Sequence, residues 1–83
     1  MYYVYILESL KRDRYYIGYT CDLERRLKEH NKGETKGNRS FKPFKIVYIE
    51  RYVEKISAMR RERYIKSQKS KRFIEELINK KMF

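Results

Sequence analysis

The chain has 83 residues, with 22 Lys plus Arg against 11 Asp plus Glu and a formal net charge of +11. That length suits one domain over residues 1–83 with a modest core, and 41% hydrophobic with 16% aromatic residues closes such a core, which excludes wholesale disorder. The longest apolar run, residues 2–7, is far short of the roughly 20 residues of a membrane helix, and an early Glu8 with a lone Cys21 argues against a signal peptide and an internal disulfide, so a cytoplasmic location is expected and no membrane partner.

Residues 2–7 are aromatic and β-branched at both parities, as in a strand covered on both faces. Lys11 to Arg14 form a polar turn, and residues 15–20 read as a second strand in an antiparallel hairpin. Asp22 is placed to cap a helix that runs to about Asn31 and stops at Gly33. Gly33, Gly37, Asn38, Ser40 and Pro43 mark residues 32–43 as a long polar loop. Residues 44–52 read as a third strand, with Ile46, Tyr48 and Glu50 alternating against Val47 and Ile49. A helix follows over about 53–67, and another over about 70–80, where Phe73, Ile74, Leu77 and Ile78 fall at helical spacing. The expected order is β-β-α-β-α-α, an α+β fold with a small three-stranded antiparallel sheet flanked by helices.

The charge is uneven. Residues 1–20 carry +1, residues 21–50 carry +3 and residues 51–83 carry +7. Arg60, Arg61, Arg63, Lys66, Lys69, Lys71 and Arg72 crowd a stretch of 55–72 whose single acid is Glu62. A solvated helix face explains part of this, but so dense a field repels itself and favours a polyanion, so these cations are the expected nucleic-acid contacts.

Polar residues fall on stripes that should be apolar. In the first helix, Arg26 and His30 share the side of Leu23 and Leu27. In the later one, Glu62 falls among Ala58, Met59 and Ile65. A half-buried charge needs a partner. Either Arg26 and Glu62 form a structural salt bridge and His30 meets a backbone carbonyl, or the three define a cleft suited to phosphoryl chemistry. Six of the nine tyrosines lie in the first 20 residues, and some must simply pair across strands. Gly18 inside a strand marks a close approach, and it shares a face with Tyr16, so a ligand over Gly18 would reach the Tyr16 hydroxyl.

These residues resemble a known family. Tyr3-Val4-Tyr5, then Tyr16-Ile17-Gly18 after ten intervening residues, is similar to the paired motif of the GIY-YIG nuclease superfamily. Arg26 comes ten residues past Tyr16, His30 one helical turn later, and Ala58-Met59-Arg60-Arg61-Glu62 resembles the helix with that family's metal-binding glutamate. The likeness runs from Tyr2 to about Lys66 and points to small stand-alone bacterial proteins related to the N-terminal nuclease domain of the excinuclease C subunit. Tyr3 stands where the literal motif has glycine, and Asn79 is the candidate for the asparagine that often follows the metal-binding helix.

The resemblance implies hydrolysis of a DNA phosphodiester in DNA repair or processing. Tyr16 would act as general base or orient the attacking water, with Tyr5 beside it. Arg26 would stabilise charge on the pentavalent phosphate, His30 would assist proton transfer or contact phosphate, and Gly18 would be the motif glycine. Glu62 would hold one Mg²⁺ or Mn²⁺. Such an enzyme would work weakly alone or through a recruiting protein. The alternative is a module of the same fold that binds DNA or RNA without cutting. A third reading is a structural protein on a large RNA, for which the basic C-terminal half alone would suffice.

Overall fold

In the computed structural model, which describes residues 1–34, 37 and 39–80, the central element is the strand that the sequence makes apolar on both sides. Strand β1 (Tyr2–Ser9) lies between β2 (Tyr15–Thr20) and β3 (Phe44–Tyr52) in an antiparallel sheet of order β2-β1-β3. Its alternate residues feed two cores. Val4 and Ile6 join Ile17, Tyr48, Ala58 and Ile65 on one face, while Tyr5 and Leu7 join Phe44 on the other. Helix α1 (Leu23–Asn31) covers the second face through Leu23 and Leu27, and α2 (Lys55–Ser67) and α3 (Lys71–Lys80) supply the first. The order is β-β-α-β-α-α, as expected; residues 35, 36 and 38 of the expected loop lie outside the described residues.

Local chemistry sets the boundaries. Asp22 Oδ1 accepts from the Arg25 amide at 3.1 Å and caps α1. Gly33, at φ +78, turns the chain left-handed after the helix and returns its N–H to the His30 carbonyl. Ser70 Oγ accepts from the Phe73 amide at the start of α3.

One expected pattern is corrected. Opposite Ile6 and Leu7, β3 pairs Tyr48 and then Ile46, so Val47 is an extra residue in a β-bulge. Ile46 therefore packs with the Tyr5 core, while Val47 and Tyr48 both pack with the opposite core. Strict alternation fails at this step because a bulge shifts the side-chain parity. Among the described residues, no helix is long and apolar enough to cross a membrane.

Candidate active site

Cross-strand register assembles the first part of the site. Tyr5 stands opposite Gly18 and Leu7 opposite Tyr16, so Tyr5 and Tyr16 share the α1 face with ring centroids 6.5 Å apart. A Cβ at Gly18 would meet Tyr5 Cζ at 2.7 Å. The space over Gly18 is therefore filled by the Tyr5 ring, which corrects the expectation of a ligand there. Glycine is needed for the ring to lie flat on the neighbouring strand.

Helix α1 brings the second part. One turn apart on its inner side, Arg26 and His30 both reach Tyr5: Arg26 Nε donates to the Tyr5 hydroxyl at 3.4 Å, and His30 Nε2 lies 3.2 Å from the same oxygen. His30 is fully buried, with its ring centroid 4.6 Å from that of Tyr16 and its edge toward Phe44. Arg26 Nη1 is held by Glu29 at 2.9 Å. The structural alternative of an Arg26–Glu62 bridge is not what forms. Glu29 is half-buried because it steadies this guanidinium.

Helix α2 completes the constellation from the β2 side. Glu62 is half-buried, and its Oε2 lies 3.4 Å from Lys66 Nζ one turn on. Lys66 Nζ in turn sits 6.0 Å from the Tyr16 ring centroid. Burial raises the Tyr5 hydroxyl to about 12; Arg26 opposes this, and the charge of Glu62 adds to it, which puts Glu62 within electrostatic reach of Tyr5. The Tyr5 bond holds Arg26 above its ordinary value against the cost of burial, so the guanidinium stays cationic. Tyr5, Tyr16, Arg26, His30 and Glu62 thus converge from β1, β2, α1 and α2. Asn79 lies exposed near the end of α3 and joins none of these contacts.

The expected nucleic-acid contacts divide. Arg60, Arg63, Lys66, Lys69 and Arg72 are exposed. Arg61 is not available in the same way: its Nε and Nη2 grip the Glu50 carboxylate at 2.9 and 3.1 Å, and its side chain is 29% exposed. Tyr48 and Tyr52 donate to that same carboxylate, so Arg61 closes a structural network between β3 and α2. Lys71 is tied to Asp13 of the hairpin turn. The sequence showed both acids but not these partners, because Glu50 and Asp13 lie 11 and 58 residues away from the cations that they hold.

Of the five converging side chains one is a carboxylate, Glu62, and the neighbouring Glu29 is committed to Arg26. Among the described residues, no group of three His, Cys, Asp or Glu is placed to hold a metal ion. A hard divalent cation is nonetheless compatible, because Mg²⁺ commonly takes one or two carboxylates and fills its remaining positions with water and substrate phosphate. Glu62 is the hard oxygen donor that such a site would use.

The chain matches the model of the GIY-YIG catalytic domain over residues 1–76. It is 45% identical over 67 residues to a UPF0213 protein of Natronomonas pharaonis, covering 80% of this chain and 78% of that one. It is 46% identical over 67 residues to one of Clostridium perfringens, covering 80% and 71%. The solution NMR structure of a UPF0213 protein from Bacillus halodurans is 40% identical and superposes with a TM-score of 0.62 over 96% of this chain and 84% of that chain. With the paired triplets on β1 and β2, and the arginine and glutamate on the helices that flank them, the chain belongs to the GIY-YIG family, whose catalytic domain is of nuclease type.

Proposed function

We propose that this protein is a metal-dependent endonuclease that hydrolyses DNA phosphodiesters. The observation that carries the reading is the convergence of one carboxylate, one guanidinium, one imidazole and two phenols from four separate elements. A module that only bound nucleic acid would gain nothing from keeping Glu62 half-buried amid cations.

Glu62 would hold the single Mg²⁺ or Mn²⁺, which when bound supplies positive charge beside the scissile phosphate. The protein's own groups do the rest. Tyr16, half-exposed at the edge strand and flanked by Lys66, orients the attacking water and, once its own phenolic proton has passed to solvent, receives the water's proton. Arg26, held rigid by Tyr5 and Glu29, bears the negative charge that builds on the phosphoryl oxygens. Tyr5 keeps its own proton and serves as a positioning residue, fixing Arg26 and His30 at once. His30, packed against the Tyr16 ring, holds that phenol in place. The oxygen of water bonds to phosphorus as the P–O ester bond breaks in line, and the departing oxygen takes up a proton from solvent.

The deciding experiment is Glu62→Ala with a panel of labelled flaps, forks, nicks, duplexes and single strands in Mg²⁺ and Mn²⁺. Cleavage is expected to vanish while DNA affinity changes by less than about twofold. Tight binding by the wild-type protein with no nicking of any substrate would make it a binding module instead. A wild-type rate retained by Glu62→Ala would remove Glu62 from the chemistry.

A further inference from the structure

A cavity of about 410 Å³ opens beside the candidate site, between β2, the hairpin turn and the junction of α2 and α3. It falls at the small end of the roughly 300–1,000 Å³ range of small-molecule sites, which suits one ring system and not an extended ligand. Its walls are of two kinds. Ile17, Ile65 and Ile74 make an apolar floor, whereas Lys66 and Lys69 place cations around it; Arg14 also lines it, with its guanidinium over the Phe41 ring. The Asp13–Lys71 pair ties the turn to α3 across one end.

The cavity is continuous with the candidate site. Tyr16 and Lys66 line it, and these same groups face His30 and Glu62. Tyr15 and Tyr16 follow one another on the edge strand, so their rings leave it on opposite sides and the cavity spans that edge. An apolar floor with aromatic walls suits the flat face of a nucleobase, and the surrounding cations suit the phosphates that flank it. A purely apolar ligand would leave the cations unmatched, and an inorganic anion would leave the isoleucine floor uncovered.

We infer that this cavity is a base-binding subsite that receives an unstacked nucleobase of the strand under attack, next to the phosphate positioned at Tyr16 and Arg26. This deepens the nuclease reading and rests on it for the position of the scissile phosphate. A base can enter only after leaving its stack, at a cost of a few kcal/mol in intact duplex and far less at a flap, gap or frayed end. Strands with unpaired nucleotides should therefore bind roughly tenfold more tightly than continuous duplex of equal length.

The test uses the wild-type protein in EDTA, with isoleucine methyl groups followed by NMR during titration with tetrathymidylate. The methyls of Ile17, Ile65 and Ile74 should shift, while that of Ile46, packed in the opposite core, stays still. Three cavity methyls that stay unmoved at saturating tetrathymidylate would overturn the inference. Independently, Ile74→Trp should fill the cavity. It should weaken tetrathymidylate binding about tenfold and leave duplex affinity within about twofold. An Ile74→Trp protein with unaltered melting behaviour and undiminished tetrathymidylate binding would likewise overturn it. Because these measurements need no divalent ion, the two readings separate. Cavity shifts without cleavage in Mg²⁺ would sink the nuclease and keep the subsite, whereas cleavage with silent methyls would do the reverse.

Discussion

Tyr5 is 2% exposed and Tyr16 is half-buried, and this difference separates the chemistry of two phenols on one sheet face. Burial lifts the Tyr5 hydroxyl to about 12, so at neutral pH it keeps its proton and acts through the bonds to Arg26 and His30. Tyr5→Phe should lower single-turnover cleavage about tenfold with little change in DNA affinity, since it removes an anchor and not a contact to substrate. Burial likewise raises Tyr48 and Tyr52 to about 12, reinforced by the Glu50 carboxylate beside them. A raised folded value means that the native state holds protons that the unfolded chain releases. Stability from these groups is complete below about pH 10 and is lost as the pH rises toward 12. Tyr15 is raised as well, chiefly by burial, so ultraviolet titration should show four late tyrosines, and Tyr5→Phe should remove one of them. At this scale helical spacing marked Arg26, His30 and Glu62 as polar groups on inward stripes, whereas Tyr16 was marked by its shared strand face with Gly18 and Tyr5 only by the family resemblance. It did not show what sits over Gly18, since the cross-strand partner depends on register.

The elements are joined by polar ties as much as by packing. Glu50 of β3 receives Arg61 of α2 and the hydroxyls of Tyr48 and Tyr52. Burial alone would raise the Glu50 carboxyl, but the donors from Arg61, Tyr48 and Tyr52 outweigh it and hold the group below its ordinary 4.5. The sign is that of a depressed carboxylate: its contribution is present above about pH 4.5 and disappears as the pH falls through the lower folded value. Arg61→Met leaves Glu50, with a side chain 14% exposed, without its cation. It should cost about 2–3 kcal/mol and lower the melting temperature by roughly 10–20 °C. In Glu50→Gln the acid-side loss should flatten. The three strands and three α-helices were legible from periodicity and caps, because each depends on residues near in sequence, whereas the short 3-10 helix at Arg39–Phe41 fell inside the expected loop. The bulge at Val47 and the grip on Arg61 were not, because both arise where β3 meets distant parts of the chain.

Across the whole molecule, the charge of +11 acts as a field before it acts as contacts. Composition alone credits every cation in residues 60–72 with a phosphate, yet the structure withdraws Arg61 to Glu50 and Lys71 to Asp13. Five exposed cations remain there, Arg60, Arg63, Lys66, Lys69 and Arg72, of which Lys66 and Arg72 make only pairs one turn along their own helices, with Glu62 and Glu76. If each releases one counterion on duplex DNA, the logarithm of the affinity should fall with the logarithm of salt at a slope of about −4 to −5. The variants sort by this slope. Arg63→Ala should make it shallower by about 1 and weaken binding to all sequences alike. Arg61→Met should leave the slope unchanged once binding is measured well below its lowered melting temperature, since its charge is already spent on Glu50. Fluorescence anisotropy from 50 to 300 mM salt reads both. A slope that drops equally in the two variants would mean that DNA pulls Arg61 away from Glu50, and the tie between β3 and α2 would then be something that binding breaks.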